Sequence, residues 1–162
     1  MSRPLVIDTA GLIALARLDL LVAAGEHFGR LLVPRAVFDE ATGESRPAAD
    51  AIRVGADENT IQVVDPPGEQ AAQPGSLALG AGELATIELA ASVGGVAVLD
   101  DRDARRVAHQ RGLPLTGTVA ILVRLRQLGT IGSLAETLAQ LESIGFRTTD
   151  ELRAWALEAA GE

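Results

Sequence analysis

Two apolar runs in this chain end in carboxylates: Leu5-Val6-Ile7 leads into Asp8, and Val96-Ala97-Val98-Leu99 leads into Asp100-Asp101. Runs of this kind, each followed by a helical pattern, read as strands of a parallel sheet, whose carboxyl edge forms the crevice where α/β proteins bind ligands. Acids gathered at that edge repel one another, and a hard divalent cation with oxygen ligands is the simplest compensation. Two further acids belong to helices. Glu40 falls three residues after Val37 and four after Ala36, at the margin of that helix's apolar face. Its neighbour Asp39 points about 100° away around the axis. Glu83 precedes Ile87 by four and opens a helix after Gly82, where a carboxylate also suits the helix dipole.

Each acid has a plain structural role as well. Asp8 suits the N-cap of the helix beginning near Ala10. Of Asp100, Asp101 and Asp103, one can cap the helix that starts at Arg102 and a second can favour its dipole, which leaves the third as surplus. Arg102, Arg105 and Arg106 sit on that helix, where pairing with these acids is the commoner outcome and holding a phosphate the alternative. Taken singly, every one of these residues reads as a cap or a solvated acid. The functional case is that four acidic clusters at separate starts of structure all point toward one crevice.

The 162 residues suit a single domain, 1–162, able to remove roughly 70% of its extended-chain surface from water. Its apolar residues are mostly Ala, Val, Leu and Ile, so the core is aliphatic; Tyr is absent and Trp155 stands alone. No cysteine occurs, which excludes disulfides, thiolate zinc sites and a cysteine nucleophile, so a metal must bind oxygen or the two histidines. All 14 basic residues are arginine, and the net charge of -8 counts against broad, sequence-independent nucleic-acid binding. It leaves room for a metal-dependent nuclease, because bound cations reverse the local sign of a carboxylate cluster. No secretory signal pattern or run of eighteen apolar residues is present, so the expectation is a cytoplasmic protein with no membrane span.

The elements that would position the acids follow in order. A strand over residues 5–8 leads into a helix through Leu12 to Leu18, and a second helix over 20–28 is expected to start after Asp19 as N-cap. A strand at Leu31 to Val33 follows, then a helix with Pro34 in its first turn. A helix over 48–54 and a strand over 61–64 precede the long irregular stretch from Asp65 to Gly80, a length that marks a functional or mobile loop. A helix from Gly82 through Ala91, the strand at 96–99, a helix over 102–110 and a short strand at Leu113 to Leu115 complete the alternation. Residues 119–162 are helical, in segments 119–128, 133–144 and 149–159, with a capping-box pattern at Ser133 and Glu136 and a similar start at Thr149. The fold class expected is an α/β three-layer sandwich with a mainly parallel central sheet and a helical C-terminal part.

In this order the residues resemble the PIN-domain family: Val6-Ile7-Asp8-Thr9, then Val33-Pro34 leading to Phe38-Asp39-Glu40, then Gly82-Glu83 opening an alanine-rich helix, then Leu99-Asp100-Asp101-Arg102. The likeness runs from Leu5 to about Gly129. It is nearest to a PIN-like branch in which an aspartate pair precedes an arginine-bearing helix and a Gly-Thr turn, here Arg105 and Gly117-Thr118. The resemblance implies a metal-dependent ribonuclease using Mg²⁺ or Mn²⁺, often the toxin of a toxin-antitoxin pair of the VapC type. It implies Asp8, Glu40, Glu83 and Asp101 as catalytic acids, with the metal held among Asp8, Glu83, Asp100, Asp101 and Asp103. One departure is Ala10, which stands where many members have serine, so Thr9 would have to supply the hydroxyl near the metal. The reaction expected is hydrolysis of an RNA phosphodiester by metal-activated water, with Arg102 or Arg105 a candidate phosphate contact. The partners implied are an RNA substrate, a small antitoxin and a second copy in a homodimer.

Other chemistries find less support. His27 and His109 lie within helices with no carboxylate motif beside them. There is no Gly-x-Ser-x-Gly elbow and no phosphate-binding loop, and the chain has no lysine to complete one. A receiver-like signalling domain also gathers acids around Mg²⁺, but it usually employs a lysine. The alternative kept open is a PIN-like binding module with weak or no turnover, acting through a protein partner.

Overall fold

The computed structural model describes residues 3–65 and 79–162; nearly all of the expected loop at 65–80 lies outside them. In chain order the elements are β1 Leu5–Ile7, α1 Thr9–Arg17, α2 Leu21–Phe28, β2 Leu31–Pro34, α3 Arg35–Ala41, α4 Ala49–Asp57, β3 Gln62–Val64, α5 Ala81–Val93, β4 Val96–Val98, α6 Arg102–Gln110, β5 Leu115–Thr116, α7 Thr118–Gln127, α8 Leu134–Ser143 and α9 Asp150–Ala159. The strands form one sheet in the order β3-β2-β1-β4-β5, and every pairing is parallel.

Side chains alternate across a strand, so each sends residues to both faces. Leu5 and Ile7 of β1, Leu31 and Val33 of β2 and Val98 of β4 join Leu12, Leu15, Ile52, Leu122, Leu134 and Leu138 in one core, built with α1, α2, α4, α7 and α8. Val6, Leu32, Ala97 and Leu99 point the other way and meet Ile87, Ala90, Ala104 and Val107 of α5 and α6. The two layers of helices follow from connection handedness. From β1 the chain steps to β2 and β3 on one side; from β3 it crosses to β4 and then β5 on the other. A right-handed crossover puts its helices on opposite faces when the direction of travel reverses. The result is the expected three-layer α/β sandwich with a parallel central sheet, and the strand order reverses between β1 and β4.

Local corrections are few. Asp19 is not the cap of α2: it takes a left-handed conformation at φ 57°, and Leu20 occupies the cap position. Aspartate tolerates that region better than most residues, so it serves the tight link between the two helices. Pro34 ends β2 and precedes α3 rather than lying in its first turn. The last strand is Leu115–Thr116, not 113–115, because the ladder with β4 sets its position: Thr116 accepts from the Leu99 N–H. The caps at Ser133 and Thr149 form as expected, each side-chain oxygen accepting a backbone N–H three residues on. The C-terminal helices pack on the α7 side of the sheet, and Glu162 bridges back to the Arg126 side chain and the Leu134 N–H at the start of α8.

Candidate active site

Asp8 directly follows β1, the middle strand, and the first element after it is α1. Its Oδ1 accepts from the Gly11 N–H at 2.8 Å, so the capping role is real. The same geometry holds the carboxylate at the carboxyl edge, 3% exposed. A side chain on Gly11 would reach within 2.9 Å of that Oδ1, so glycine lets α1 start this close to its own cap. Burial is the main force pushing the Asp8 carboxyl up to about 7, followed by the charge of Asp100, with Glu83 adding a smaller push. The Gly11 and Asp100 backbone N–H groups pull it back only in part.

Asp101 caps α6 in the same way, its Oδ2 accepting from the Ala104 N–H at 3.0 Å, but it is exposed. Glu83 lies in the first turn of α5, and its carboxyl is raised, first by burial and then by the charges of Asp101, Glu40 and Asp103. Glu40, on α3, accepts from the Thr9 hydroxyl at Oε2, 3.0 Å away. Gly82 is what lets α5 approach this pair: a Cβ there would stand 2.8 Å from Thr9 Oγ1 and 3.0 Å from Glu40 Oε2.

Asp8, Glu40, Glu83 and Asp101, from four separate segments, therefore line one hollow of about 310 Å³, with Thr9, Ala10 and Arg46 beside them. It opens where the strand order reverses, the position at which open α/β sheets bind ligands. Asp100 and Asp103 are placed differently. Asp100 turns toward α7, accepting from the Thr118 N–H at 2.8 Å and from the Thr118 hydroxyl. Burial raises its carboxyl, while those two bonds and Arg105 lower it. Asp103 pairs with Arg106 at 3.4 Å on the surface of α6. Arg105 spends Nη1 on the Leu99 carbonyl at 2.7 Å. His27 contacts Thr130 from the far end of α2, which leads to the amino edge of the sheet, away from these acids.

The cation at the mouth was not foreseen from sequence. Arg46 falls in the stretch between α3 and α4 where no periodic pattern exists, so nothing in its local sequence points toward the crevice. It makes no salt bridge among the described residues.

Among the described residues, no three His, Asp or Glu side chains stand close enough to grip an ion unaided. The donor chemistry nevertheless suits a hard divalent cation. Mg²⁺ and Mn²⁺ prefer oxygen, and Mg²⁺ commonly takes one or two carboxylates and keeps several waters, so a tight three-acid cage is not required. A buried aspartate raised to about 7 by burial and by like-charged neighbours is a group that a cation would return to the ionised state.

The chain is thus an α/β fold with a parallel sheet, helices on both faces and an acid-lined crevice at its switch point. A family model described as DUF3368, PIN domain, matches residues 4–162, and the chain belongs to that family. PIN domains are generally nucleases and generally use divalent metal ions. Among solved structures, a domain of a functionally unknown protein from Methanocaldococcus jannaschii DSM 2661 is similar at 16% identity and a TM-score of 0.47, over 72% of this chain and 91% of that one. No curated protein matches the chain. Among the described residues no helix is long and apolar enough to cross a membrane.

Proposed function

We propose that this chain is a metal-dependent endoribonuclease that hydrolyses RNA phosphodiester bonds. The observation that carries the reading is the convergence of Asp8, Glu40, Glu83 and Asp101 on one hollow at the carboxyl edge. In this reading Mg²⁺ or Mn²⁺ is held among Asp8, Glu83 and Asp101 with retained waters completing its shell, while Asp100 positions the start of α7 and Asp103 contributes charge from the rim. A bound divalent ion supplies Lewis acidity, lowering the pKa of a water and offsetting charge on the phosphate. The chain does the rest. Gly11 fixes the orientation of the Asp8 carboxylate. Thr9 holds Glu40 through Oε2, leaving Oε1 to take a proton from the attacking water. Arg46, at the mouth, offers its planar guanidinium to non-bridging phosphate oxygens, and its loss should weaken RNA binding about tenfold.

The assay is cleavage of labelled RNA with and without Mn²⁺ by the protein and by its Asp8→Asn and Asp101→Asn variants. Mn²⁺-stimulated cleavage by the parent alone is expected; equal activity in all three rejects the assignment. The finer proposal is that the protein is a toxin whose small antitoxin covers the crevice and offers an arginine to the acids, and that it forms a homodimer. Co-purification with a small partner and a concentration-dependent sedimentation profile test these two points. A second reading, a binding module with weak or no turnover, draws on Ala10, which lines the hollow without a hydroxyl. RNA or partner binding with no cleavage in Mn²⁺ would favour it.

A further inference from the structure

A second hollow, of about 430 Å³, lies at the same edge of the sheet, walled by the tips of β4 and β5 and by α6, α7 and α9. Asp100, Arg105, Gly117, Val119, Leu152 and Trp155 are among the residues that line it. Trp155 is the sole tryptophan of a chain without tyrosine, and it is 48% exposed. Leaving an indole face in water forgoes apolar burial that the core could have used. Arg105 lines the same hollow beside the Asp100 carboxylate, anchored by one nitrogen to the Leu99 carbonyl, with further N–H groups still to donate. A flat aromatic face, aliphatic walls and a fixed guanidinium are the combination that takes an unpaired base and its phosphate.

We propose that Trp155 and Arg105 form a nucleobase subsite, which stacks an unpaired base of single-stranded RNA beside the scissile phosphate. The inference rests on the nuclease reading and adds to it a site at which a base is held. The tip of β4 connects the two hollows: Asp100 lines the tryptophan side and Asp101, the next residue, lines the acidic side. Consecutive residues thus wall the two hollows, and a single strand laid over the tip of β4 would reach from one to the other. A base locked in a duplex offers no free face to the indole, so paired RNA is excluded from the subsite.

Because Trp155 is the only tryptophan, its emission reports on this hollow alone. Short single-stranded homopolymers of A, C, G and U are titrated in EDTA, with binding followed in parallel by anisotropy of a labelled strand. The expected result is quenching of Trp155 emission by at least one homopolymer, and affinity about tenfold weaker in Trp155→Ala but largely kept in Trp155→Phe. In Mn²⁺, Trp155→Ala raises KM more than it lowers kcat. Single-stranded RNA that binds with unchanged emission and equal affinity for Trp155→Ala overturns the subsite and leaves the nuclease reading standing. No binding and no Mn²⁺-dependent cleavage overturns both. A blue shift on raising the protein concentration without RNA, or on adding a co-purified partner protein that RNA cannot displace, assigns the face to protein association and overturns the subsite.

Discussion

The tips of β1 and β4 are built from the same local device, an apolar strand, an aspartate and a helix that the aspartate caps, yet they carry different carboxylates. Asp8 and Asp101 cap their helices at 2.8 and 3.0 Å. Asp8 is buried with its carboxyl raised to about 7, whereas Asp101 faces solvent. The difference comes from position in the sheet. Asp8 ends the middle strand, with β2 and β4 on either side and Thr118 Oγ1 close to the neighbouring Gly11, so water is kept from it. Capping and site roles do not compete: the bond to one backbone N–H is what aims the remaining oxygen of each aspartate.

The comparison yields predictions of decreasing size. Asp8→Asn keeps a good cap, so the fold survives, but cleavage should fall by more than the ~100-fold typical of losing an outer partner of a metal ligand; Mn²⁺-dependent turnover is the measure. The same variant should change the response of cation-free protein to pH. With a folded pKa of about 7 against 3.8, the native state binds more protons than the unfolded chain between those values. The stability from protonated Asp8 is therefore complete below about pH 4 and lost as pH rises through about 7. The raised carboxyls of Glu83 and Asp100 add to that slope with the same sign. Unfolding curves across this range should flatten in Asp8→Asn, which becomes the more stable protein above neutrality, and Mn²⁺ should restore the parent there but not the variant.

Packing around the two tips gives smaller effects. Gly82→Ala forces a methyl against Thr9 and Glu40 and should cost about 1–3 kcal/mol in chemical denaturation. Gly132→Ala, whose Cβ would meet nothing within 4 Å, should stay within about 0.5 kcal/mol. Thr118→Val keeps the shape and removes the hydroxyl donor to Asp100, at a cost of about 1–3 kcal/mol. Asp101→Asn sharpens the contrast most finely: its stability should change by less than about 0.5 kcal/mol while turnover is lost. If Asp101→Asn alters the pH dependence of stability as much as Asp8→Asn does, the two tips are not electrostatically distinct.

Much of this architecture can be read along the chain. The apolar runs at β1 and β4, the caps at Asp8, Ser133 and Thr149, and the alternation of strands with helices are local patterns, and a parallel sheet follows from them. The expectation that four separated acids share a crevice was equally readable, because a parallel sheet sends every strand's carboxyl end to one edge. The local pattern starts β5 at Leu113, two residues early, because pairing with β4 outweighs the run there. The resemblance counts Asp100 with Asp101 among the metal-holding acids, but adjacent residues at a strand tip diverge, and Thr118 claims Asp100.

Sequence alone thus determined the elements, the edge at which the acids gather and the kind of ion they suit, because hydrophobic period, capping and charge act over a few residues. Tertiary structure alone decided which carboxylate is buried, that Arg46 lines the acidic hollow, and that Trp155 shares a hollow with Asp100. Desolvation and proximity depend on segments that are distant along the chain and meet only when the sheet is assembled.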